Sequence, residues 1–264
     1  MKMEYIKFGR CIWCLKQKPD VTFFNKPHTI SKKLGSNVIG FDICDSCNTY
    51  FGSVEKSSPY QMSVETAFKE ILNVSKYIIQ TISKKPDKNK PILRSMYFEY
   101  YRSKGLLRIK NRFKLQRYFI KNFTRQFKRG IYEIFLQEFH RQIGEGHLDK
   151  FDRVRNFTRF DIGDIPLYYA DNNGVYLLPD DIDQPLVPFT PQSKSEINDY
   201  GFYQMWLYGH LFYIEVTPKA EFSRQIYLRN EERKIVGSGF IYNGINELNF
   251  ITDLDFTLSK LTGS

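Results

Sequence analysis

Apolar residues in this chain recur at two spacings, and each spacing predicts a different kind of element. In "MSVETAFKEILNVSKYIIQTI", residues 62–82, they return at helical intervals, which predicts an amphipathic helix capped by Ser63. Ile109, Phe113, Ile120, Phe123, Phe127, Ile131 and Phe135 repeat in the same way, so a second helix is expected through the middle of the chain. Their aromatic stripe reads as core. The glycines of "EFHRQIGEGH" suggest where a helix ends. Short β-prone runs dominate elsewhere. "VTFF" and "NVIGFDI" read as two strands of a hairpin. "DIPLYYADNNGVYLLPDD" predicts another hairpin around "DNNG", and "YGFYQMWLYGHLFYIEVTP" is strand-like. "RQIYLRNEERKIVGSGFIYNGINELNF" is expected to add further strands. "SKKPDKNKP", residues 83–91, reads as a turn, and "LPDDIDQPLVPFTPQSKSEIND" as a long loop. The expected architecture is α+β. It comprises an N-terminal module over 1–61, a basic helical region over 62–160 and an acidic, β-rich region over 161–264.

Composition supports burial of a real core: 42% of the 264 residues are hydrophobic and 16% aromatic. The N-terminus "MKMEYIKFGRCIWC" has no apolar leader, and no stretch of about 18 uncharged apolar residues occurs. A soluble, cytoplasmic protein is the expectation. The net charge of +10 is unevenly spread, with +4 over 1–60, +14 over 61–160 and −8 over 161–264. Such asymmetry suggests a part that binds a polyanion, although a solvated helical surface has the same composition. Between Arg102 and Arg129 there are eleven Lys or Arg and no acid. Arg108, Arg112, Arg125, Lys128 and Arg129 are the candidates to track a DNA phosphate backbone; the competing partner is an acidic protein. Nothing in the stretch reads base identity.

All four cysteines lie in the first 47 residues, as two C-x2-C pairs, Cys11 with Cys14 and Cys44 with Cys47. Without a secretory leader, two such pairs read as a metal site rather than disulfides. Four thiolates complete a closed tetrahedral shell, so the expected ion is Zn2+ in a structural role. It would supply folding energy to a segment with little core of its own. Four reduced core cysteines are the alternative.

Taken together, "CIWC", "HTISKKLG" and "CDSCNTYFGSVE" carry a resemblance. The pattern C-x2-C, H-T-I-S-x-x-L-G, C-D-x-C-N-x-x-F-G-x-x-E is similar to zinc-containing HNH (ββα-metal) endonucleases, over about residues 9–56. The resemblance implies a β-hairpin packed on a helix with one divalent ion, Mg2+ or Mn2+, in the cleft. It implies that His28 is the general base for phosphodiester hydrolysis of DNA. It also implies that Asn48 binds or orients at the helix start and that Glu55 helps hold the ion. Asn48 and Glu55 are seven apart, two helical turns, and are expected to share a face. A bacterial or phage defence or mobile-element role is the context the family suggests. One position departs: Pro27 stands where many members carry a metal ligand directly before the base. A non-catalytic zinc-containing nucleic-acid-binding or adaptor protein is therefore the alternative, with His28 a structural histidine and Glu55 an ordinary helix residue. A second metal cluster of Glu138, His140, Glu145 and His147 is a minor candidate. His210, between Gly209 and bulky apolar residues, reads as a buried strand histidine. The C-terminal region is a candidate surface for a protein partner or homo-oligomer.

Overall fold

A 27-residue helix, buried along most of its length, is the spine of the structure. The computed structural model describes residues 2–54, 62–82, 92–101, 104, 106–171, 185, 187–237 and 243–258. Their order is α1 (Asp45–Gly52), α2 (Val64–Ile82), β1 (Phe98–Tyr101), β2 (Leu106–Ile109), α3 (Arg117–Ile143), α4 (Asp152–Phe160), β3 (Leu167–Asp171), α5 (Pro191–Asp199), β4 (Phe202–Leu207), β5 (His210–Glu215), α6 (Ala220–Gly237) and β6 (Gly244–Glu247). The described residues thus form a mixed α+β fold of six helices and two small sheets.

The spine, α3, is about 40 Å long. Phe123, Phe127, Ile131 and Phe135 are fully buried, as their spacing predicts. Gly144 at φ +89° ends the helix in the left-handed conformation that glycine adopts without strain. Helix α2 crosses α3 at Gly130, where any Cβ would overlap the Phe68 ring. Ser63 caps α2, its Oγ accepting from the Thr66 amide at 3.1 Å.

The four-stranded antiparallel sheet has the order β4-β5-β3-β6. Alternation splits its side chains between two layers. Phe212 and Ile214 join the main core with Phe127 and Phe135 of α3. Leu211 and Tyr213 join a smaller cluster with Tyr227 and Ile235 of α6. The main core is continuous from Cys11 and Trp13 through α2 and α3 to Leu258.

Several expectations are corrected. "VTFF" and "NVIGFDI" form no strands; an isolated pairing of His28 with Ile39 stands where the hairpin was expected. Gly40 N–H to Pro27 O at 2.9 Å and Thr29 N–H to Val38 O at 3.3 Å join the two segments there, while groups farther along bond elsewhere, as in Tyr5 N–H to Phe23 O and Asp45 N–H to Thr22 O. The middle helix starts only at Arg117. Ile109 lies in the β1–β2 hairpin, and Phe113 sits on a turn packed against Tyr97, Phe98 and Phe119. "PQSKSEIND", read as loop, is α5, because Thr190 caps it and Pro191 fits its first turn. "AEFSRQIYLRNEERKIVG" is α6 rather than strand, and its buried Tyr227, Glu231 and Ile235 recur four apart. The far arm of the hairpin expected at "DNNG", and the turn at 83–91, lie outside the described residues. Among the described residues, no helix is long and apolar enough to cross a membrane.

His210 opens β5 and is buried. Ser75 Oγ donates to the Phe256 carbonyl at 2.8 Å and stands 2.9 Å from His210 Nε2, so the neutral ring donates to the serine. Burial pushes His210 down to about 4 from 6.5. Its neutral form is unpenalised above the unfolded value. As pH falls from about 6.5 through about 4, the unfolded chain takes a proton that the folded chain refuses, so stability is lost. The expected loss is about 3 kcal/mol at pH 4. Urea unfolding of wild type and His210→Gln across this window checks it, and the variant should show the shallower acid limb.

Candidate functional site

The sulfur atoms of Cys11, Cys14, Cys44 and Cys47 all lie within 4.8 Å of one another. Cys11 and Cys14 project from a tight turn closed by Leu15 N–H to Cys11 O and Cys11 N–H to Lys16 O. Cys44 is the residue before α1, and Cys47 lies in its first turn. A tetrahedral ion with arms of about 2.3 Å requires sulfurs about 3.8 Å apart. Cys14 and Cys44 are 3.7 Å apart. The geometry and the all-thiolate donor set therefore fit a metal ion such as zinc. Without an ion the thiols compete for protons. Bonding from Cys14 and its neighbours pushes Cys11 up, whereas Cys11 holds Cys14 at about 6 and Cys44 lower still.

The surroundings are built for negative sulfur. Cys44 N–H donates to Cys11 Sγ at 3.4 Å, and Ser46 Oγ lies 3.2 Å from Cys44 Sγ. From α4, Arg159 Nε donates to Cys47 Sγ at 3.3 Å, with its guanidinium 3.9 Å above the Tyr50 ring. Outer groups of this kind orient thiolates and offset their charge. Arg159 is 112 residues from Cys47, and no local pattern points to it.

His28 lies between the knuckles in sequence and is half-buried. The segment before it is pinned to the start of α1: Asp45 accepts from the Asn25 amide at 2.6 Å and from Thr22 Oγ1 at 2.5 Å. The next residue, Thr29, donates to Glu138 on α3. Burial, then the charges of Lys32 and Lys26, lower the His28 pKa below 6.5 against an opposing pull from Val38 and Glu65. Its ring is therefore neutral at pH 7, and Nδ1 is buried with no hydrogen-bond partner among the described residues.

Asn48 follows the last cysteine on α1 and makes no side-chain hydrogen bond among the described residues. Glu55 lies outside the described residues. Helix α1 ends at Gly52, and Ser53 is already extended, so the helix does not run on from Asn48 as the two-turn spacing assumed. Two other carboxylates face this region. Glu65 opens α2 beside Gly52, pairs with Lys69 at 3.4 Å and acts on the charge of His28. Glu133 on α3 accepts from Gln137 at 2.9 Å through Oε1, while Oε2 is buried without a partner. Burial, then Glu65, raises the Glu133 pKa well above the usual carboxylate range, which favours its neutral form. Sequence reading missed both. No local pattern sets them apart, since each helix carries a second acid, Glu70 on α2 and Glu138 on α3.

Among the described residues, the four cysteines are the one convergent group of three or more His, Cys, Asp or Glu side chains. Glu138 is engaged by Thr29, Arg141 and Gln142. His140 Nε2 donates to Asp42 at 3.0 Å, and its Nδ1 accepts from Gly146 N–H. Asp42 also accepts from the amides of Lys7, Phe8 and Gly9, so this pair clamps the N-terminal segment to α3.

The five basic candidates part company. Arg125 is held by Asp161 at 2.6 Å and by the Gly163 carbonyl, and Lys128 by Asp164 at 2.9 Å. Arg129 is 2% exposed and spends its guanidinium on Thr158 O, Gln126, Tyr50 and Asp161. Arg108 and Arg112 are exposed on and beside the β1–β2 hairpin. No family model, curated protein or solved structure matches the chain.

Proposed function

We propose that the chain is a metal-dependent endonuclease of the HNH kind that hydrolyses DNA phosphodiester bonds, with His28 as general base and structural zinc at the four cysteines. The observation that carries this reading is a half-buried histidine, kept neutral, in a segment pinned to the helix that starts at Cys44 and bears Cys47. A neutral imidazole can take a proton from water as it attacks phosphorus. Glu65 and the Val38 carbonyl favour the imidazolium that results. When bound, Mg2+ or Mn2+ supplies the positive charge that offsets developing charge on phosphate and leaving oxygen. Asn48, whose amide is uncommitted, would hold it with Glu55 or Glu65. Such an ion prefers oxygen and retains waters, so Pro27 need not contribute.

The test is nicking of supercoiled plasmid by purified protein with Mg2+ or Mn2+. His28→Ala is expected to lose about 10²- to 10⁴-fold in rate at unchanged zinc content and Tm. The wild-type rate should rise with pH as His28 loses its proton and level off, with its midpoint below 6.5. Equal rates for the two proteins would reject His28 as base. Pro27 favours the second reading, a non-catalytic zinc-containing nucleic-acid-binding or adaptor protein, for which neither protein cleaves.

A further inference from the structure

The β1–β2 hairpin and the turn after it enclose an open cavity of about 470 Å³, lined mainly by Ser95, Glu99, Arg108, Lys110, Asn111 and Arg112. Three cations face one carboxylate. Glu99 accepts from the Tyr101 hydroxyl at 3.0 Å, and Arg108 donates to the same oxygen at 3.2 Å, so the phenol orients the arginine without neutralising it. Lys110 Nζ donates to Ser95 O at 2.8 Å, which leaves two of its N–H bonds. Arg112 makes no hydrogen bond or ion pair among the described residues.

This charge stands on a fixed frame. The strands pair in register from Phe98–Ile109 to Tyr101–Leu106. Phe98 packs on Phe113 and Phe256, and Tyr100 on Tyr77 of α2. Glu70 of α2 accepts from Ser95 Oγ and, at 2.7 Å, from the Met96 amide. Two forked guanidiniums, one oriented by Tyr101, an ammonium held by Ser95 and an amide suit phosphate oxygens. The lining residues include no aromatic ring on which a base could stack. The same helix links the cavity to His28, since Glu70 lies about 7.5 Å of helical rise from Glu65.

We propose that this cavity is a DNA-backbone site that binds phosphate without reading sequence and holds the strand for His28. The identity of the polyanion rests on the nuclease reading; the site itself rests on the cavity. The hairpin thus takes the phosphate-binding role that sequence alone spreads along α3.

The test is fluorescence anisotropy of the full chain with a labelled mixed-sequence duplex, without divalent ions, across a salt series. Arg108→Glu with Arg112→Glu is expected to bind at least about 10-fold more weakly, and the log–log salt slope to shrink by about 2. The charge-matched control is Arg229→Glu with Arg233→Glu on exposed positions of α6, which should stay within about 2-fold. His28→Ala should bind as wild type. Matching Tm and zinc content across the set exclude unfolding. Equal binding by the hairpin variant and the control would overturn the site. So would absence of duplex binding with hairpin-dependent capture of poly-glutamate, which would make the partner an acidic protein. Cleavage unaffected by His28→Ala while hairpin-dependent binding persists would remove the catalytic reading and leave this site standing.

Discussion

Cys44→Ser is expected to abolish metal binding and unfold the N-terminal segment. Cys44 is the most connected of the four cysteines. It is the residue from which α1 starts, its sulfur lies 3.7 Å from Cys14, and its amide donates to Cys11 Sγ. Serine offers a harder, shorter donor with no thiolate at neutral pH, so the tetrahedral shell opens. Structural zinc sites in small peptides contribute about 10–16 kcal/mol of binding energy, comparable with the roughly 5–15 kcal/mol that holds a whole domain. The loss should spread, because Trp13 and Phe51, buried beside the knuckles, belong to the core that runs through α3. Metal analysis should find about one zinc per wild-type chain and none in the variant. Circular dichroism melts should show a Tm collapse or failure to fold. A wild-type chain that carries no metal after zinc-supplemented expression would refute the site.

Arg129→Ala is expected to cost about 3–5 kcal/mol of stability, although sequence alone presents Arg129 as one more cation of a basic run. The guanidinium holds the Thr158 carbonyl at the end of α4 with two donors, at 3.1 and 2.9 Å. It also donates to Gln126 at 2.8 Å and to the Tyr50 hydroxyl at 2.5 Å, and meets Asp161 at 3.3 Å. Truncation takes both donors from the Thr158 carbonyl and one from the buried Gln126, while Asp161 keeps Arg125. Arg129→Lys should recover little, since an ammonium cannot span the same fork. Arg112→Ala, at an exposed position, should be near neutral in the same urea titration. A cost below about 1 kcal/mol for Arg129→Ala would show that the network carries little of the fold.

The contrast between Arg129 and Arg112 shows where sequence reading stops. Both sit in one acid-free run, and composition treats them alike. What separates them lies in another segment: the Asp161 side chain that helps hold Arg125 and Arg129 is more than thirty residues away. The run of eleven cations is thus partly internal wiring between α3, α4 and the loop after it. Helices α5 and α6 were missed for a related reason. Helix α5 buries only Ile197, and α6 is buried only at Ala220, Tyr227, Glu231 and Ile235 while Phe222, Ile226 and Val236 are exposed, so neither has an apolar stripe that stands out beside β-prone neighbours.

The sequence by itself determined what depends on near neighbours. Cysteine spacing brought pairs of thiols to turns, helical spacing set α2 with its Ser63 cap, and alternating aromatics set β4 and β5. These features rest on a few residues of covalent reach and on the periods of 3.6 and 2. Tertiary structure decided what each polar group does. It placed Arg159 on Cys47, Glu65 near His28, Glu133 in the interior where burial raises its pKa, and Arg108, Lys110 and Arg112 around an open cavity. The physical reason is that a charge acquires its role from burial and from the group it meets. Packing sets both, between segments that can lie more than a hundred residues apart.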